Sequence, residues 1–198
     1  MSWELDQTCA IAMLPEPPPP PPQQAATLLA VPLFHATGSH AVYLASYRHQ
    51  RKIVSMYKWD AALAAELIEV EKISSVIAPA AMTGDLVQEA TRTQRDLGSL
   101  AAVGGGGAPR APDQVRNIDQ SFANALPNTG WGMTETNAIG TGIGGMDYLA
   151  HPESSGRCSA VMELSVINDV GHALAAGERG ELLIRGAGVF RGYWNRPD

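Results

Sequence analysis

The sequence predicts an α/β fold: a parallel sheet with flanking helices, plus an appended antiparallel β portion. Two observations predict it. From Thr27 to about Gly140, short apolar runs alternate with helix-length segments, a spacing that sets strands side by side with crossover helices between them. After about Gly140 the helical texture stops, and two strand-like runs remain with a turn between them.

The elements are expected in this order. Residues 27–34 read as a buried strand ending in a loop, 39–50 as a helix and 52–57 as a strand. Asp60 is placed to cap an alanine-rich helix over 61–72. A strand over 74–78 is closed by Pro79, and a helix follows over 83–93. Residues 100–103 form a short strand running into Gly104 to Gly107, 113–122 a helix, and Leu126 leads a strand toward Trp131. In the last part, 160–167 and 181–185 are strand-like, and Asp169-Val170-Gly171-His172 supplies the turn between them. The organisation is thus a leader (1–26), an α/β part (27–140) and a β-rich part (141–198).

Pro15 and the run Pro17 to Pro22 set the leader apart, because proline cannot enter helix or sheet interiors and favours an extended polyproline rod. Three readings stay open for it: a disordered leader, a docking site for a proline-recognising domain, or a stretch foreign to the fold that follows. Net charge is −6, from 14 Lys+Arg against 20 Asp+Glu, with no basic stripe, which argues against a nucleic-acid partner. The two cysteines, Cys9 and Cys158, lie far apart without metal spacing, so neither a disulfide framework nor a structural zinc site is expected. No apolar run has the length of a membrane span, and the first residues make a poor signal peptide, so a cytoplasmic location is expected.

The chemistry concentrates in Gly130-Trp131-Gly132-Met133-Thr134-Glu135-Thr136. Glycine lets backbone approach a ligand, an aromatic face lies against a base, a hydroxyl donates to phosphate oxygen, and a carboxylate holds Mg²⁺ that grips phosphates. The run resembles the Tyr-Gly-x-Thr-Glu motif of the adenylate-forming (AMP-binding) enzymes, with Trp131 where that superfamily usually has tyrosine. Three further segments resemble it in family order: Pro32-Leu33-Phe34-His35-Ala36-Thr37-Gly38, Gly104-Gly105-Gly106-Gly107-Ala108-Pro109, and Gly180-Glu181-Leu182-Leu183-Ile184-Arg185-Gly186 through Arg191-Gly192-Tyr193-Trp194. Within the superfamily, fatty-acid and medium-chain acyl-CoA ligases look most similar.

That resemblance implies an acid–CoA ligase. A carboxylic acid, expected to be fatty or otherwise apolar, reacts with Mg·ATP to give an acyl adenylate, and coenzyme A then takes the acyl group. It implies Glu135 as the Mg²⁺ ligand and Thr134 as donor to the α-phosphate. Trp131 with Gly132 would cover adenine, and Gly106, Gly107, Ala108 and Pro109 would bring backbone against adenine and acyl group. His35 would stand at the acyl or thiol entrance. Read without the resemblance, Thr134 and Glu135 also suit a helix start, Trp131 a core position, the glycine run a flexible linker and His35 an ordinary loop. The run Gly140-Thr141-Gly142-Ile143-Gly144-Gly145 fits the dinucleotide fingerprint by letters, but a helix or turn is expected before it, where the fingerprint needs a strand.

No counterpart is expected within these 198 residues to the family's phosphate-gripping loop, its ribose-binding aspartate or its small lysine-bearing domain. Thr83-Gly84-Asp85 has the letters of the ribose segment but lies before the glycine run. The expectation is therefore the middle of the large N-terminal domain of such an enzyme, a fragment inactive alone. Exposed sheet edges make self-association a further expectation.

Overall fold

The computed structural model describes residues 23–196, so the proline run of the leader lies outside the described residues. A seven-stranded sheet has the order β2-β1-β3-β4-β5-β6-β7. Its parallel part comprises β1 (Ala26–Leu29), β2 (Lys52–Ser55), β3 (Ser75–Ala78), β4 (Ala102–Gly105) and β5 (Leu126–Trp131). Two antiparallel strands, β6 (Thr141–Gly144) and β7 (Arg157–Cys158), extend it beyond β5. A separate antiparallel pair joins β8 (Met162–Ile167) to β9 (Glu181–Gly186).

Alternation along the strands decides the layers. Ala26 and Leu28 of β1, Val76 and Ala78 of β3 and Val103 of β4 point to one buried side. Three helices cover that side: α2 (Ala61–Glu71) with Ala64 and Ile68, α3 (Ala80–Arg92) with Leu86, and α4 (Pro112–Ser121) with Ile118. Burying these apolar side chains supplies the main driving force for this layer. The opposite side carries α1, wound as a π-helix over Thr37–Leu44 and as an α-helix over Ala45–Arg48, against β1 and β3. Past α1, that side of the sheet floors an open cleft. No helix among the described residues is long and apolar enough to cross a membrane.

Local chemistry explains where the elements begin. Asp60 caps α2 as expected, its Oδ1 accepting from the Leu63 N–H at 2.9 Å. The helix expected from residue 83 starts three residues earlier, at Ala80. Pro79 needs no donor at the cap, and its carbonyl already accepts from the Thr83 N–H at 3.1 Å. The strand expected over 100–103 lies over Ala102–Gly105, so half of the glycine run is sheet. Neighbours explain those glycines. A Cβ on Gly104 would sit 2.4 Å from Asn128 Oδ1, and one on Gly105 would sit 2.8 Å from Arg110 Nη2.

Helices do not stop near residue 140, contrary to the sequence reading: α5 spans Gly145–Ala150. Gly145 turns the chain at φ +62°, and Tyr148, 2% exposed, buries the helix against β5. The middle of the Gly140 to Gly145 run, Thr141–Gly144, is the antiparallel strand β6, not a phosphate loop between a strand and a helix.

Gly38 holds the turn from β1 into α1. A Cβ there would lie 2.3 Å from Pro32 O and 2.6 Å from Val31 O. Gly38→Ala is expected to cost about 2–3 kcal/mol in a urea unfolding series, because backbone rather than a flexible side chain blocks the methyl. An unchanged midpoint would contradict the tight turn.

Candidate functional site

The chain leaves β5 at Trp131 and makes a tight 3₁₀ turn, Thr134–Thr136. The Thr136 hydroxyl closes it, accepting from Met133 N–H at 3.0 Å and reaching Met133 O at 3.1 Å. Asn137 and Ala138 follow at φ +52° and +62°. Left-handed alanine is unusual and costs backbone strain, which tertiary contacts must hold in place. Gly132 is one such contact, since a Cβ on it would lie 2.7 Å from the Ala138 carbonyl carbon and oxygen.

Two adjoining clefts open around this turn. The larger, about 630 Å³, is lined by His35, Thr37, Gly106, Met133 and Thr134 among others. The smaller, about 380 Å³, is lined by Ala108, Pro109, Arg110, Trp131 and Tyr148 among others. Gly107, Thr129, Gly130 and Gly132 line both. The wall between the two spaces is therefore mostly bare backbone, whose N–H and C=O groups can face a ligand on either side.

The residues singled out from the sequence divide between these spaces. His35 and Thr134 face the larger cleft, Trp131, Ala108 and Pro109 the smaller, while Gly107 and Gly132 border both and Gly106 the larger only. Trp131 is half-buried, with its ring against Gly140: a Cβ there would lie 2.7 Å from Cε3. His35 is exposed and rests against the Phe34 ring, centroids 4.7 Å apart. Glu135 lines neither cleft. Its carboxylate accepts a hydrogen bond from the Tyr193 hydroxyl, and its carbonyl accepts from the Phe190 N–H at 2.8 Å. The Tyr193 bond, helped by the backbone N–H of Glu135 itself, holds this carboxyl below the ordinary glutamate range, while the same bond raises Tyr193.

No cluster of three or more His, Cys, Asp or Glu side chains that could hold a metal occurs among the described residues. A lone carboxylate fits Mg²⁺ nonetheless, because that ion keeps most of its waters and is commonly held by one or two carboxylates together with substrate phosphates. Glu135, in the turn beside the clefts, and Glu153, on the lining of the smaller one, are carboxylates at hand for such a role.

Three neighbours of the site were not read from the sequence. Thr37 Oγ1 lies 3.6 Å from the Cβ position of Gly106, so its side chain packs on the glycine turn. Arg110 is 8% exposed, donates to Thr83 Oγ1 at 3.0 Å and more distantly to Asn128 O at 3.4 Å, and has no partner for its buried Nε. Burial pulls this guanidinium below the ordinary arginine range, with Tyr148 opposing, and burial pushes the Tyr148 phenol up. An arginine after proline carries no sequence sign of burial. Thr37 was within reach, as part of the His-Ala-Thr-Gly segment.

The AMP-binding enzyme family matches residues 6–194. This chain belongs to the AMP-binding enzyme family. The 4-coumarate–CoA ligase-like 6 protein of Oryza sativa subsp. japonica is 31% identical over 177 residues, covering 87% of this chain and 29% of that protein. The long-chain-fatty-acid-CoA ligase FadD1 of Archaeoglobus fulgidus superposes at TM-score 0.77 with 27% identity, covering 87% of this chain and 36% of that one. O-succinylbenzoate coenzyme A synthetase of Bacillus subtilis, in complex with ATP and magnesium ion, shares the fold at TM-score 0.76 and 21% identity, over 98% of this chain and 38% of that one. The chain spans about a third of the length of the curated relatives it matches, for example 32% of a 4-coumarate–CoA ligase of Oryza sativa subsp. japonica and 31% of one of Arabidopsis thaliana.

The buried Arg110 makes a stability prediction. Among the described residues it has no carboxylate partner, so an apolar chain of similar length removes an uncompensated buried charge. Arg110→Met is expected to raise Tm by roughly 2–4 °C, about 1 kcal/mol for a chain of this size. A lowered Tm in calorimetry would show that the two hydrogen bonds outweigh desolvation.

Proposed function

We propose that this chain forms the nucleotide- and acyl-binding core of an acid–CoA ligase, which activates a carboxylic acid with Mg·ATP and passes the acyl group to coenzyme A. One observation supports this reading above others: the two clefts meet at a backbone wall, with Trp131 on one side and Thr134 and His35 on the other. A purine in the smaller cleft stacks on Trp131 opposite the Ala108 and Pro109 turn. Its phosphates then pass the wall toward the Thr134 hydroxyl, which donates to an α-phosphate oxygen. Mg²⁺, when bound, neutralises phosphate charge; Glu135 would hold it. The larger cleft takes the acid. Its lining includes Ala36, Ala41, Ile77, Ala102, Met133 and Ile143, which favours an apolar acid, fatty acids included. His35 stands at its rim, where acyl group or thiol enters, and no proton transfer is assigned to it.

In the ligase reading the residues hold two anions, carboxylate and α-phosphate, close together while charge develops at phosphorus. A second reading for the chain by itself is binding of nucleotide and acyl groups without turnover, which needs only the two clefts. Calorimetry beside an ATP–pyrophosphate exchange assay separates the two, since exchange requires adenylation and binding does not. The cytoplasm, where ATP and coenzyme A are plentiful, is the proposed compartment.

Two outcomes are expected of the chain. Trp131→Ala weakens AMP and Mg·ATP about tenfold each in calorimetry, the stacking energy of one base. Glu135→Gln weakens Mg·ATP and leaves metal-free AMP unchanged; equal loss for both would remove Glu135 from the metal role. Self-association is a further expectation. Strand β2 is a sheet edge, and Leu182 and Leu183 are each 44% exposed. Sedimentation velocity is expected to show mass rising with concentration, and a concentration-independent monomer would contradict it.

A further inference from the structure

Residues 187–193 return from β9 and lie across the Thr134–Thr136 turn. Three hydrogen bonds fix them there. The Phe190 N–H donates to Glu135 O at 2.8 Å, Asn137 Nδ2 donates to Gly188 O at 3.0 Å, and the Tyr193 hydroxyl donates to Glu135 Oε1. Gly188 permits the approach, because a Cβ on it would lie 3.1 Å from Thr136 O and 3.0 Å from Met162 Sδ. Gly192, at φ +145°, turns the chain just before Tyr193. The Tyr193 ring then meets the Phe190 ring edge-on, centroids 4.9 Å apart and planes at 84°.

We propose that Tyr193 is a positioning residue for the metal carboxylate, a role that rests on the Mg·ATP reading of Glu135 given above. Its hydroxyl occupies Oε1, and besides it only the backbone N–H of Glu135 itself reaches the carboxylate among the described residues, so no other side chain competes for the second oxygen. A carboxylate held by one oxygen presents the other in a fixed direction. A glutamate side chain free to rotate would lose that order on meeting an ion. The packing of Phe190 on Tyr193 fixes the hydroxyl in turn, so the orientation of Glu135 is set from a segment 58 residues away in the chain. Tyr193 itself touches neither cleft.

The test is calorimetric titration of the full 198-residue chain with Mg·ATP and with metal-free AMP, for the unaltered protein, Tyr193→Phe, Glu135→Gln and the double variant. The expected result for Tyr193→Phe is about fivefold weaker Mg·ATP binding, the effect of one exposed hydrogen bond to a charged group. Metal-free AMP affinity and Tm stay unchanged, and adding Tyr193→Phe to Glu135→Gln changes nothing further. Unchanged or tighter Mg·ATP binding in Tyr193→Phe overturns the positioning role, as does equal weakening of Mg·ATP and AMP or a fall in Tm as the sole effect. If the unaltered chain takes up no Mg·ATP, the metal reading of Glu135 falls and this proposal with it. Binding by the unaltered chain with no response to Tyr193→Phe sinks the proposal alone.

Discussion

Backbone lies against backbone where β5 ends, and the rest of the site depends on that contact. Gly132 has the Ala138 carbonyl at its Cβ position, and Gly140 has Trp131 O 2.2 Å from its own. A side chain at either position would push the Thr134–Thr136 turn away from the sheet. The turn would then leave the larger cleft, and the indole would lose the surface it rests on. The left-handed Ala138 is part of the same constraint, since its strain is tolerated where neighbours leave the chain no other path.

The sheet sets the frame for this contact. Its helical layer buries an aliphatic core built from β1, β3 and β4 with α2, α3 and α4. That layer leaves the other side of the sheet free for binding, with α1 at one end and β6 and β7 at the other. Glycines near the ends of β4 and β5 let two spaces meet with Thr129 as the one side-chain-bearing residue that borders both among the described residues. A nucleotide that must place its base in one and its phosphates beside the other needs such a thin wall. The relatives act, by their names, on acids as different as 4-coumarate, long-chain fatty acids and o-succinylbenzoate. The shared part is thus the family's AMP-binding architecture.

Much of the fold was legible in the residues because local chemistry and burial agree there. Asp60 marked a helix start through its side chain, and the apolar runs near 28, 76 and 103 marked strands through their alternation. The errors arose where a contact distant in sequence overrode local preference. Glycines 104 and 105 read as loop, yet they lie in strand β4 with the Asn128 and Arg110 side chains packed on them. Helix α5 was missed because its anchor, Tyr148, is recognisable only by what it buries against. At the site, the Trp131 to Glu135 run was visible as chemistry, but the division of Trp131 to Thr134 between two clefts, with Glu135 outside both, was not, since that depends on how β5 exits the sheet. Tyr193 was visible as a letter in a familiar segment. Its hydroxyl's partner lies too far back in the chain for any spacing rule to find.

The most direct test of this account is photolabelling with 8-azido-ATP followed by peptide mapping. Covalent attachment is predicted within residues 107–110, 129–132 or 148–155, which line the smaller cleft, with protection by unmodified ATP. Labelling confined to other peptides, or labelling that ATP does not suppress, would contradict the claim that the smaller cleft encloses the purine.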